Sequence, residues 1–223
     1  MKKILYILLI CISIIIIYIK TKDNKVYYLA LGDEITIGVE NNNFTDEIKK
    51  YLKSIDKFER INKEFIKNNY RTTDLNILIN NNEKILYENK MISIKNAIIK
   101  ADLITISIGM NDFINYVDNP KILYNNIINL KKDMRELLIN IRNISKEKIY
   151  LIGIYNPYPN NKELDKVLKE LNKHYKDIAK ESDINYIDIY NKINNKLPNK
   201  YEYKYISDEL IRNIKNDIMN TEV

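Results

Sequence analysis

The chain holds one cysteine and one histidine among its 223 residues, and each scarcity closes off a class of chemistry. With Cys11 alone, no intramolecular disulfide framework exists. With His174 alone, a histidine-based catalytic centre must use that residue or none. Glycine is nearly as sparse: the four glycines, at 32, 38, 109 and 153, fall at or near the ends of apolar runs, where backbone freedom is needed. Strong charge is also missing. The formal net charge of +6 falls to +3 once Lys2, Lys3 and Lys20 of the first twenty residues are set aside. What remains is spread over mixed-sign segments, which suits a solvated surface, with attraction to an anionic wall polymer or lipid as the alternative. No motif for nucleic-acid binding accompanies it. With 45% hydrophobic residues and no low-complexity tract, the chain suits one folded domain with a sizeable core.

Residues 4–19 form a run of sixteen without a charge, preceded by Lys2 and Lys3. A positive start and an apolar core are what a secretory signal needs, but no small-x-small cleavage site follows, and Cys11 sits mid-run rather than at a lipoprotein position. An uncleaved membrane anchor is expected over residues 1–25, including a short polar link. At 1.5 Å rise the run spans roughly 24 Å, short of a ~30 Å hydrocarbon core, and flanking lysines make up the difference by snorkelling. The expected orientation leaves the rest of the chain outside the cytoplasm.

Residues 26–220 carry the domain. The clearest strands are 26–31 and 101–109, apolar and β-branched and each running into glycine. Further strands are expected at 61–66, 148–155 and 185–189. Helices are expected at 45–55, 72–79, 91–99, 162–180 and 207–219. The strongest opens at Pro120, with Leu123, Ile127, Leu130, Met134, Leu137 and Ile141 at spacings of three and four. Strands alternating with helices predict a three-layer α/β/α sandwich around a parallel sheet.

Several blocks, in order, carry a family resemblance. Gly32-Asp33-Glu34 closes the first strand. Tyr70-Arg71-Thr72-Thr73-Asp74-Leu75 precedes a helix. Ser107-Ile108-Gly109-Met110-Asn111-Asp112 closes the third strand, and Gly153-Ile154-Tyr155-Asn156-Pro157-Tyr158 follows the next. Together they resemble the GDSL or SGNH hydrolases, a family of esterases and lipases with a flavodoxin-like fold. The resemblance implies a nucleophile position at Glu34, where the family has serine. It implies an oxyanion donor at Asn111 and a second at Asn69, where the family has glycine. The fifth block, Asp-x-x-His before the last helix, has no counterpart; residues 199–205, where it is expected, offer Lys, Tyr and Glu202.

Acyl transfer needs a hydroxyl nucleophile, a base and oxyanion donors. Glu34 is no such nucleophile, and its charge opposes a developing oxyanion. Ser107 and Thr36 are the nearby hydroxyls. His174 lies on the edge of a helical apolar stripe, with Leu171 rather than Asp three residues before it, and reads as a packing residue. Three functions are therefore in view. The first is a membrane-anchored protein using the former cleft for binding, with envelope carbohydrate, lipid or protein as partner. The second is a hydrolase with altered machinery, in which Glu34 activates water or joins Asp33 and Asp112 around a hard cation; structural hydrogen bonding is the simpler role for those two aspartates. The third is an envelope interaction protein that uses its basic surface. No cofactor is expected.

Overall fold

The computed structural model describes residues 25–40, 42–193, 195 and 197–220, together with Tyr6, Cys11 and Ser13. The expected anchor over residues 4–19 lies outside the described residues apart from those three positions. Among the described residues no helix is long and apolar enough to cross a membrane.

Strand β1 (Val26–Gly32) is buried from Tyr27 onward, without the alternation of a sheet that faces water on one side. It lies inside a sheet of β1, β2 (Phe58–Asn62), β5 (Leu103–Ser107), β6 (Lys148–Ile152) and β7 (Asn185–Ile187), in the order β2-β1-β5-β6-β7. Every pairing in it is parallel. This is the flavodoxin-like order once the separate hairpin described below is set aside. Helix α1 (Glu34–Ile37) is a single turn after β1. On one face α2 (Phe44–Ser54) packs with α7 (Lys200–Asn220). On the other, α5 (Pro120–Ile144) packs with α3 (Thr72–Asn81), α4 (Ile94–Lys100) and α6 (Lys162–Glu181). The apolar stripe of α5 is buried as its spacing predicts, and Pro120 opens the helix behind an Asn119 cap.

Several boundaries differ from the sequence expectation. The strands expected at 101–109, 148–155 and 185–189 are shortened to 103–107, 148–152 and 185–187, and three further differences have a local reason. The second strand covers 58–62 rather than 61–66. Asn62 ends it: its Oδ1 accepts from the Glu64 amide at 3.0 Å and turns the chain, while its Nδ2 donates to the Tyr27 hydroxyl at 3.2 Å. Ile66 keeps only an isolated bridge to Gly32. Residues 91–93 are not helical. They belong to an antiparallel hairpin of β3 (Lys84–Tyr87) and β4 (Lys90–Ser93), closed by Glu88 and Asn89 at φ 48° and 62°. Two left-handed residues are what a tight type I′ loop requires. The third difference is that α7 begins at Lys200, not 207. Asn199 Oδ1 accepts from the amides of Tyr201 and Glu202, and Glu202 Oε2 accepts from the Asn199 amide at 2.8 Å, a reciprocal cap that fixes the start.

Candidate active-site cleft

β1 and β5 are neighbours that end together, with Gly32 opposite Ser107. Their onward connections leave in opposite directions, β1 toward β2 and β5 toward β6. Open α/β sheets place their sites at the carboxyl ends of strands at such a divergence. A cleft of about 710 Å³ lies there, lined by Glu34, Asn69, Asn111, Tyr155 and Leu197 among others. That volume is in the range of small-molecule sites.

Glu34 is the first residue of α1, and Asp33 caps that turn by accepting the Ile35 amide on Oδ1 at 3.0 Å. The half-buried Glu34 carboxylate reaches across the mouth of the cleft. Its Oε2 accepts from the Asn69 backbone amide at 3.1 Å and from Asn111 Nδ2 at 2.9 Å. Asn69 can present that amide because its φ is 61°, a left-handed conformation that asparagine tolerates better than most residues. A donor therefore survives at the position where the resemblance expects glycine. Asn111 sits in a 3₁₀ turn (Met110–Asp112) after Gly109, whose φ is 119°. Its Nδ2 also donates to the Tyr70 carbonyl at 3.0 Å, so both amide protons are engaged. The two donors expected to bind an oxyanion thus hold one oxygen of a resident carboxylate.

Asp33 and Asp112, the two other acidic residues singled out in the sequence, lie behind the cleft wall rather than on it. Asp112 Oδ2 accepts from the Thr72 amide at 3.0 Å and hydroxyl at 3.2 Å. Burial pushes its carboxyl up to about 6, with the Thr72 hydrogen bonds acting the other way. Burial also holds the Asp33 carboxyl well above the usual range, and the Glu34 charge adds to the effect. Among the described residues no three His, Cys, Asp or Glu side chains converge as a metal ion requires.

These shifts have a thermodynamic consequence. An acid whose pKa is higher folded than unfolded binds more protons in the native state, so stability falls as pH rises between the two values. For Asp112 that window is from about pH 4 to about 6. Asp112→Asn keeps an acceptor for Thr72 and removes the buried charge. It is expected to raise stability at pH 7 by on the order of 2 kcal/mol and to flatten the decline between pH 4 and 6. Urea unfolding across that range checks this; a variant less stable than wild type at pH 7 would refute it.

With α7 starting at Lys200, residues 200–205, expected ahead of the last helix, lie within it. Leu197, just ahead of that helix, lines the cleft. In sequence Asn194 and Leu197 have the spacing of Asp-x-x-His with neither of its residue types, ahead of a helix that starts at Lys200 rather than 207. The Pro198-Asn199 pair with Glu202 is the signal that would have revealed that start. Tyr203, in the first turn of α7, buries its hydroxyl without a hydrogen-bond partner. Burial raises its pKa, and the charges of Asp33 and Glu34 raise it further. His174 is half-buried on α6, with Nε2 3.4 Å from the Lys131 carbonyl, and does not line the cleft. Ser107 and Thr36 are buried and do not line it either.

Residues 30–208 match the GDSL-like lipase/acylhydrolase family. The spore germination lipase LipC of Bacillus licheniformis is 27% identical over 180 residues, 73% of this chain and 79% of the relative. A lipase from a goat rumen metagenome superposes with a TM-score of 0.66 at 24% identity, over 83% of this chain and 96% of that one. An acetylxylan esterase from Geobacillus stearothermophilus gives 0.64 at 14% identity, over 84% and 93%. Solved catalytic mutants of that esterase replace a serine, an aspartate and a histidine. With those blocks on the right strands and the match spanning most of the sequence, the chain belongs to the GDSL-like lipase/acylhydrolase family.

Proposed function

We propose that this protein is a membrane-anchored GDSL-fold binding protein, not a serine esterase, and that its cleft recognises an envelope carbohydrate, lipid or protein. The observation that carries the reading is the position of Glu34 Oε2, on the Asn69 amide and Asn111 Nδ2. A carboxylate oxygen held by both donors resembles the oxyanion that an acyl-transfer site stabilises. The hole is occupied, the nucleophile has gone, and no proton acceptor stands at Leu197. In this reading residues 4–19 tether the protein and the domain lies outside the cytoplasm.

A fluorophosphonate probe is expected to leave the full-length protein unlabelled, and acetyl and longer acyl esters are expected to survive incubation. Strong labelling would overturn the reading.

A second reading, an ester hydrolase in which Glu34 activates water, draws support from relatives that are named lipases and esterases. It requires Glu34 to release the two donors before they can serve a substrate. Ester turnover that depends on Glu34, tested with and without divalent cations to include the proposed cation site with Asp33 and Asp112, would favour it.

A further inference from the structure

The same carboxylate bears on what the cleft binds. Only Oε2 of Glu34 is engaged; no hydrogen bond from a described residue reaches Oε1. No described lysine or arginine pairs with it in a salt bridge. Among the described residues no lysine or arginine lines this cleft. The nearby bases have other company: Lys67 Nζ lies 5.7 Å from the centre of the Tyr70 ring, and Arg71 reaches the Tyr116 hydroxyl at 3.5 Å. Glu34 is thus the one charged side chain among the described residues that line the cleft. The other polar residues among the described lining are Asn68, Asn69, Asn111 and Asn115, which carry carboxamides, and Tyr155, beside the apolar surface of Met110 and Leu197.

Resting on the non-hydrolytic reading above, we propose that the cleft selects a small ligand carrying a primary ammonium group on a hydroxylated body, with the ammonium on Glu34 Oε1. A half-buried carboxylate without a cation is completed by a charge-assisted hydrogen bond from N⁺–H, roughly twice as strong as one from a neutral donor. Carboxamides supply donors and acceptors for hydroxyls, and the apolar wall takes the carbon face of the ligand. An anionic ligand meets the Glu34 charge and is rejected. Acylating the amine removes the charge and adds bulk, so the acylated form of the same body is discriminated against.

Glucosamine, N-acetylglucosamine and glucose separate these contributions, because they share a ring and differ at one substituent. Calorimetric titration of the full-length protein at pH 6.5 and low salt is expected to give glucosamine an affinity at least tenfold above the other two. In Glu34→Gln, which keeps the shape and loses the charge, that preference is expected to vanish. Equal affinity for all three sugars, an unchanged preference in Glu34→Gln, or no saturable binding of glucosamine would each overturn the proposal. Those outcomes leave the non-hydrolytic reading standing if the fluorophosphonate probe still fails to label. Labelling together with ammonium preference would instead overturn that reading and keep the ligand.

Discussion

Glu34→Ser alone is expected to leave ester hydrolysis at the wild-type level, although it restores a hydroxyl where the family has its nucleophile. The substitution also frees the Asn69 amide and Asn111 Nδ2 from the carboxylate they now hold. Two of the three requirements of acyl transfer would then be present. The third is the base, and a serine hydroxyl is a weak nucleophile without one. Leu197 has no proton acceptor. The Tyr203 hydroxyl is buried, and burial keeps it protonated. Adding Leu197→His to Glu34→Ser places an imidazole on the cleft wall. Because general-base assistance is worth roughly 10²–10⁴-fold, the double variant is expected to exceed the single by about 10²-fold in kcat/KM for p-nitrophenyl acetate. The low end applies because position 194 offers an asparagine, not the aspartate that orients such a histidine. Fluorophosphonate labelling should appear with the double variant as well. Efficient turnover by Glu34→Ser alone would reveal a base elsewhere and refute this account.

The sequence made the sheet legible because buried parallel strands announce themselves. Residues 26–32 and 103–107 are buried on both faces and run into or toward glycine, and α5 carries its stripe from Leu123 to Ile141 behind Pro120. The hairpin was hidden because Glu88 and Asn89 adopt left-handed backbone without the glycine that usually marks such a loop. Met91 and Ile92, read with the following Ile94 and Ile98, then mimic a helical spacing. The site was legible only as a set of positions. Replacement of the serine by Glu34 was visible; the fate of its carboxylate was not, since its partners Asn69 and Asn111 lie 35 and 77 residues away. Whether Asn69 still donates depended on a backbone angle, which residue type biases but does not determine. The last helix was expected to start too late, so Leu197, which lies just ahead of its true start and lines the cleft, was not considered.

Gly32→Ala is expected to cost more stability than any single change inside the cleft. Gly32 has φ +153°, and an added Cβ would lie 2.2 Å from the Ser107 carbonyl oxygen and 2.4 Å from Thr36 Oγ1. The carbonyl is backbone of the adjacent central strand, where it accepts the Asp33 amide at 3.2 Å, so it has little freedom to retreat. Backbone strain and overpacking each contribute about 1–3 kcal/mol, so the expected loss is roughly 3–5 kcal/mol. That is a large fraction of the 5–15 kcal/mol typical of a domain. Gly109→Ala provides the control. There φ is +119° and the close neighbour is the Tyr175 hydroxyl at 2.6 Å, the end of a side chain rather than backbone. That hydroxyl is buried without a hydrogen-bond partner, so Tyr175→Phe is expected to be neutral or mildly stabilising. Combined with Gly109→Ala, it should recover part of the loss and leave the strain of the positive φ, of order 1–2 kcal/mol. Urea midpoints of the four variants against wild type test the argument. If Gly32→Ala proves as mild as the Gly109→Ala/Tyr175→Phe pair, the close approach of β1 to Ser107 is not what demands glycine there.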